Sequence, residues 1–188
     1  MPLSEPAERE LLHTRAIAIN GYLRTDGQID IEAHMTDVKT YPFENRDRGT
    51  VVPGEPLHGM WMRMTVDSAL TITGCEARME YTPYAICPGV APNFERLAGL
   101  AIKPGFLREA GLRVGGAQGC THLRELLQQM ATVAFQTMHS VRRRGAASEA
   151  PPKTTRALMN TCHAYASDGP LVRERWPDLY TGPDRSNP

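Results

Sequence analysis

The chain of 188 residues has no excess of charge of either sign: 21 Lys and Arg stand against 21 Asp and Glu, a formal net charge of zero at pH 7. Recruitment of nucleic acid or of an anionic membrane surface draws on a field of one sign, so neither partner is expected. Cysteine is sparse, with single residues at 75, 87, 120 and 162 and no C-x-x-C pair. That excludes a disulfide framework read from spacing. No apolar run approaches the roughly 18 residues of a membrane span, and no secretory signal is visible. A cytoplasmic protein with free thiols is the expectation. Aromatic residues are few too, and nine methionines outnumber four phenylalanines; such an interior is adaptable and could admit a bulky ligand.

A chain of this length suits one domain with one core. We expect a single domain over residues 1–188, with an ordered core over 14–180, a flexible loop over 143–154 and frayed ends. Residues 14–23 and 29–38 alternate apolar and polar, and Asp26-Gly27 between them suits a tight hairpin turn. Residues 41–59 carry three prolines and three glycines among charges and read as a long connection. From Met60 a second hairpin follows, turning near Asp67 and Ser68. "NFERLAGLAI" reads as a short helix ended by Lys103-Pro104-Gly105. A long helix should start at Thr121, capped by its hydroxyl, with Leu123, Leu126, Leu127, Met130, Val133, Ala134, Met138 and Val141 along one stripe. "LMNTCHAYASDG" adds one or two helical turns. The class is α+β: an antiparallel sheet of two β-hairpins packed against one long and one or two short helices.

Three phrases concentrate reactive side chains. In "GGAQGCTHLRELL", residues 115–127, glycines precede the helix start, so free backbone N–H groups at Gly119, Cys120, Thr121 and His122 would face an anionic group or a developing negative charge. Cys120 there would be a thiol of lowered pKa; equally, the glycines serve a turn and Cys120 fills the core. In "IEAHMTDVKTY", residues 31–41, Glu32, His34 and Thr36 oppose Ile31, Ala33 and Met35, while Asp37 and Lys39 fall on the apolar side. A bulge or strand end near Asp37 would resolve that conflict and gather a carboxylate, an imidazole and an amine for acid–base chemistry. Solvated strand residues are the plainer alternative. In "GEPLHGMWMRMTVD", residues 54–67, His58, Trp61 and Arg63 offer a base, an aromatic wall and an anion clamp, or else a Trp covering the sheet and an Arg63–Glu32 cross-strand pair. Tyr84 in "YTPY" adds a phenol. His34, His58, His122 and His163 with Cys120 or Cys162 match no zinc spacing, so no metal and no cofactor is expected.

In order along residues 14–180, "GYLRTDGQIDIEAHMTDVKTY", "GEPLHGMWMRMTVD", "YTPYAICPG", "GGAQGCTHLRELL" and "CHAY" resemble the bacterial family of domain of unknown function 2889 (DUF2889). The resemblance implies a link to catabolism of aromatic compounds, and to lignin-derived phenylcoumarans whose γ-hydroxymethyl group is lost as formaldehyde. A cofactor-free lyase of that kind needs a base for the hydroxymethyl proton, a proton donor for the departing phenolate and an apolar slot. Here His34 or His58 would be the base, and Lys39 or Tyr84 the donor. Arg63 or the stretch Gly119, Cys120, Thr121 and His122 would clamp a substrate carboxylate, with Trp61 as a wall and Asp37 orienting an imidazole or favouring a charged lysine. The other class open to this sequence is a non-catalytic small-ligand-binding or regulatory module in which these residues satisfy one another. The exposed edges of a four-stranded sheet point to a homodimer.

Overall fold

Period-two alternation dictates four long strands, and the computed structural model, which describes residues 3–145, 156 and 158–183, contains them. Strands β1 (His13–Leu23) and β2 (Ile29–Lys39) form the first hairpin about Asp26-Gly27. Contrary to expectation, the Pro- and Gly-rich connection is not structureless. It holds a small hairpin, β3 (Phe43–Asn45) with β4 (Gly49–Val51), and its last residues already belong to β5 (Pro56–Val66), which pairs with β6 (Ile72–Tyr81). The side-chain oxygen of Asn45 accepts the N–H groups of Asp47 and Arg48 and so closes that short turn locally, a device that composition alone does not reveal. The four long strands make one antiparallel sheet in the order β1-β2-β5-β6.

One face of the sheet is apolar. Ile29, Ile31, Ala33 and Met35 of β2 and Met60, Met62, Met64 and Val66 of β5 are all at most 2% exposed, and their burial is the main stabilising term of this unit. The covering layer begins with a 3₁₀ segment, Cys87–Leu97, which buries Ala91, Phe94 and Leu97. The expected helix over "NFERLAGLAI" is thus shifted towards the N-terminus. A helix we did not anticipate, α1 (Phe106–Val114), follows the Lys103-Pro104-Gly105 break. It buries only Phe106, Ala110 and Val114, a stripe too short to stand out as periodicity.

Helix α2 (Thr121–Gly145) lies on the same face and buries Leu123, Leu126, Leu127, Met130, Ala134 and Met138, with Val133 and Val141 at the margin. Two glycines permit its approach. A Cβ on Gly21 would overlap the hydroxyl of Thr137, and one on Gly119 would overlap the backbone carbonyl of Val114. The second clash cannot be relieved by turning a side chain. Gly119→Ala therefore costs about 2 kcal/mol, an overpacking penalty that lowers Tm by about 6 °C; calorimetry that finds an unchanged Tm would refute this account of the α1–α2 junction.

The chain divides into two compact units, Met1–Gly145 and Ala146–Pro188. The elements above belong to the first. In the second, a 3₁₀ turn at His163–Tyr165 falls within the expected "LMNTCHAYASDG" segment, and α3 (Pro170–Arg175) follows it. Val172 is buried and Tyr165 stacks on Trp176 with ring centroids 5.7 Å apart. The expected loop over 143–154 begins inside α2, and its remainder, like most of the C-terminal tail, lies outside the described residues. Among the described residues no helix is long and apolar enough to cross a membrane.

Candidate active site

Antiparallel register assembles a polar row at one end of the apolar face. Arg15 of β1 is paired with Asp37 of β2, and Asp37 with His58 of β5, so the three side chains cross the sheet side by side. A register shift between Asp37 and Val38 comes just after the pair. The expected bulge is there, yet it does not turn Asp37 outwards. Asp37 stays on the core side at 1% exposure, the only charged or polar residue buried among the described residues.

A buried carboxylate persists only if its charge is matched. Arg15 supplies a bidentate pair, Nε to Oδ1 at 2.7 Å and Nη2 to Oδ2 at 2.8 Å. His13 Nε2 lies 3.1 Å from Oδ1 and His58 Nδ1 lies 3.0 Å from Oδ2. Each carboxylate oxygen thus meets two donors. From the first turn of α2, His122 Nε2 approaches Oδ2 to 3.8 Å and its ring packs on His58 with centroids 3.8 Å apart. Glu125, one turn on, accepts a hydrogen bond from Arg15 Nη1 at 2.5 Å. Side-chain exposure rises outwards, from 2% at Asp37 and 12% at His58 to 25% at His122 and 42% at His13. The cluster opens on the side of His122 and His13.

Burial by itself would push Asp37 upwards, but the hydrogen bonds and charge of Arg15, helped by His58 and His13, outweigh it and hold the carboxyl at about 2. An ionised carboxylate only accepts hydrogen bonds. His58 must therefore carry its proton on Nδ1, which leaves Nε2 with a free lone pair. Burial, then the neighbouring charge of His122, lowers the His58 pKa below the ordinary 6.5, against the pull of Asp37. The imidazole is neutral and basic at neutral pH.

Both shifts have the same sign for stability. With folded values below unfolded ones, the folded chain binds fewer protons, so this stabilisation is complete above about pH 6.5 and is lost as pH falls. The first loss follows His58, and a second, about 2 kcal/mol, follows Asp37 from pH 3.8 down to about 2. Urea unfolding at a series of pH values should show both steps, and Asp37→Asn should erase the lower one. A flat profile would contradict the assignment.

Asp37, His58 and His122 also offer one donor atom each within 4.8 Å of one another, close enough to share a metal ion. With all the acceptor positions of Asp37 already taken, an ion at Oδ2 would have to displace His58 or Arg15, so the donor set fits a hydrogen-bonded cluster better.

The remaining sequence candidates fall elsewhere. His34, Trp61 and Arg63 lie on the opposite face of the sheet, where His34 stacks on Trp61 at 3.8 Å and Arg63 bonds Glu32. Lys39 follows Asp37 on the same side of β2, with Nζ 5.3 Å from the Tyr41 ring. Tyr84 is 53% exposed in the turn after β6. The expected cap is corrected as well. The first helical bond runs from Arg124 N–H to the carbonyl of Cys120, so Cys120 occupies the cap position and Thr121 the first turn. Cys120 Sγ lies 3.7 Å from His122 Nδ1, and Gly119 is fixed by packing against α1. All four cysteines are free.

Sequence reading missed Arg15, His13 and Glu125. Counting outwards from Asp26-Gly27 puts Arg15 directly opposite Asp37, so the hairpin register held the signal for the first. The model of the family described as "Protein of unknown function (DUF2889)" matches residues 13–136. The chain belongs to this family. The DUF2889 match spans every member of the Asp37 cluster, from His13 to Glu125. No curated protein and no solved structure matches this DUF2889 chain.

Proposed function

We propose that this protein is a cofactor-independent carbon–carbon lyase of aromatic catabolism, releasing formaldehyde from the hydroxymethyl group of a lignin-derived phenylcoumaran by acid–base chemistry. The observation that carries the reading is the 3.0 Å contact of His58 Nδ1 with a carboxylate that is itself saturated by donors. Such a carboxylate takes no proton at working pH and serves to fix the imidazole as a base.

In the proposed step His58 Nε2 removes the proton of the γ-hydroxyl group. The oxygen electrons form the C=O bond of formaldehyde as the bond between the γ- and β-carbons breaks. That electron pair becomes the double bond between the β- and α-carbons, and the α-carbon–oxygen bond of the coumaran ring opens. The proton gained by His58 returns to the phenolate oxygen, directly or through the adjacent His122 ring. One phenylcoumaran gives one hydroxystilbene and one formaldehyde, with no oxidant and no metal in the balance.

The test incubates the purified protein with a phenylcoumaran carboxylic acid and follows formaldehyde and stilbene absorbance with and without a chelator. Equimolar products, unaffected by the chelator, are expected. Saturable binding without formaldehyde would overturn the lyase in favour of a binding module. The reading includes a cytoplasmic homodimer, its dimer part supported by the position of β1 at the outer edge of the sheet; a monomeric mass in light scattering would remove that part of it.

A further inference from the structure

We propose that the cleft between α1 and α2 binds an aromatic carboxylate, the recognition end of the substrate. The assignment deepens the lyase reading and rests on it for the ligand's place in catalysis. The cleft has a volume of about 260 Å³ and an apolar floor that includes Leu107, Ala110 and Leu127. That is below the usual range for drug-sized ligands and suits a single substituted ring. Its polar wall is helix α2, through Thr121, Arg124, Glu125 and Gln128.

One feature points to an anionic occupant, and a second leaves room for it. Arg124 has no carboxylate within 4 Å among the described residues, and the carboxylate of Glu125, which lines the same cleft, is bound to Arg15 instead. A guanidinium beside an apolar floor matches a ring that bears a carboxylate. Gly111 is the second feature. It sits inside α1, where glycine costs about 1 kcal/mol relative to alanine, and no positive φ demands it. Nor does crowding, since a Cβ there would meet only Arg124 Nη2, at 3.9 Å, an ordinary contact. The missing side chain keeps the cleft wall open in front of the guanidinium.

The cleft also communicates with the base. Glu125 lines it and accepts from Arg15 Nη1, while the other two nitrogens of that guanidinium hold Asp37. The cleft is therefore joined to the carboxylate that orients His58 through two ion pairs that share Arg15, Glu125–Arg15 and Arg15–Asp37.

The experiment titrates benzoate and, separately, benzamide into the full chain by calorimetry, then repeats both with Arg124→Gln and Gly111→Leu. Benzoate should bind saturably and benzamide at least about tenfold more weakly. Arg124→Gln should weaken benzoate by about tenfold or more, and Gly111→Leu should abolish its binding with Tm unchanged or raised, because leucine is the better helix former. Equal binding of acid and amide would overturn the proposal, as would undiminished benzoate binding by either variant. Arg124→Gln, at an exposed position, keeps the test decisive if Gly111→Leu does not fold. The binding readout is independent of formaldehyde, so a silent lyase assay leaves the calorimetric result standing. Formaldehyde release that persists unchanged in Arg124→Gln and Gly111→Leu would overturn the cleft's place in substrate recognition while sparing the lyase.

Discussion

Arg15→Met should lower the unfolding free energy by about 3–5 kcal/mol at pH 7. The loss comes less from the arginine than from what it leaves behind. Asp37 is 1% exposed, and Arg15 supplies two of its four close hydrogen bonds and the only permanent positive charge against it. The methionine keeps much of the apolar stem, so packing changes little. The pH dependence separates charge from packing. In the native chain Asp37 is held at about 2, below its unfolded 3.8, and its contribution falls as pH drops through that window. In the variant burial prevails, the folded pKa rises above 3.8, and stability increases as the carboxyl protonates. The difference between the two proteins should therefore shrink steadily from pH 7 to pH 4. Urea unfolding at both pH values measures it; a constant difference would assign the effect to packing.

In the proposed lyase, His58→Gln should reduce turnover of the phenylcoumaran by about 10³, with KM little changed, since the loss of a general base removes transition-state stabilisation and not ground-state binding. Glutamine retains a donor for Asp37, so the fold should survive. The native protein should lose the proposed activity on the acid side with a midpoint below pH 6.5, because burial and His122 keep the His58 pKa low. His34→Ala makes the comparison sharper. Its ring lies on the opposite face, stacked on Trp61, and its removal should leave turnover within about twofold. A variant series in which His34 mattered and His58 did not would move the chemistry to the other face of the sheet.

The architecture was legible in the sequence because it follows from short-range periodicity. Alternation in residues 14–38 and 60–81, a turn dipeptide at Asp26-Gly27 and the Leu123 to Met138 stripe are each local, and the sheet and α2 follow from them. Two elements escaped for an equally local reason. The β3–β4 hairpin is three residues on each side, and α1 buries only three side chains, so neither produces a pattern above its surroundings. The family too was carried by the ordered phrases of the chain, and its match covers residues 13–136.

The site was legible only in part. Asp37 stood out because a carboxylate on the apolar parity of a strand is an anomaly that demands a partner, and His58 and His122 were visible as isolated imidazoles. What the sequence by itself determined is therefore the hairpins, the long helix and an unresolved charge on the wrong face of β2. Which groups answer that charge was decided by tertiary structure alone. Arg15 arrives through the β1 register, His58 through the β5 register, and His122 with Glu125 through the docking of α2. Strand parity separates His34, Trp61 and Arg63 from this cluster, because alternate residues fall on opposite faces of the sheet. Parity names no partners, however: the groups around Asp37 come from other strands and from a helix distant in sequence, and only the packing of these elements brings them together.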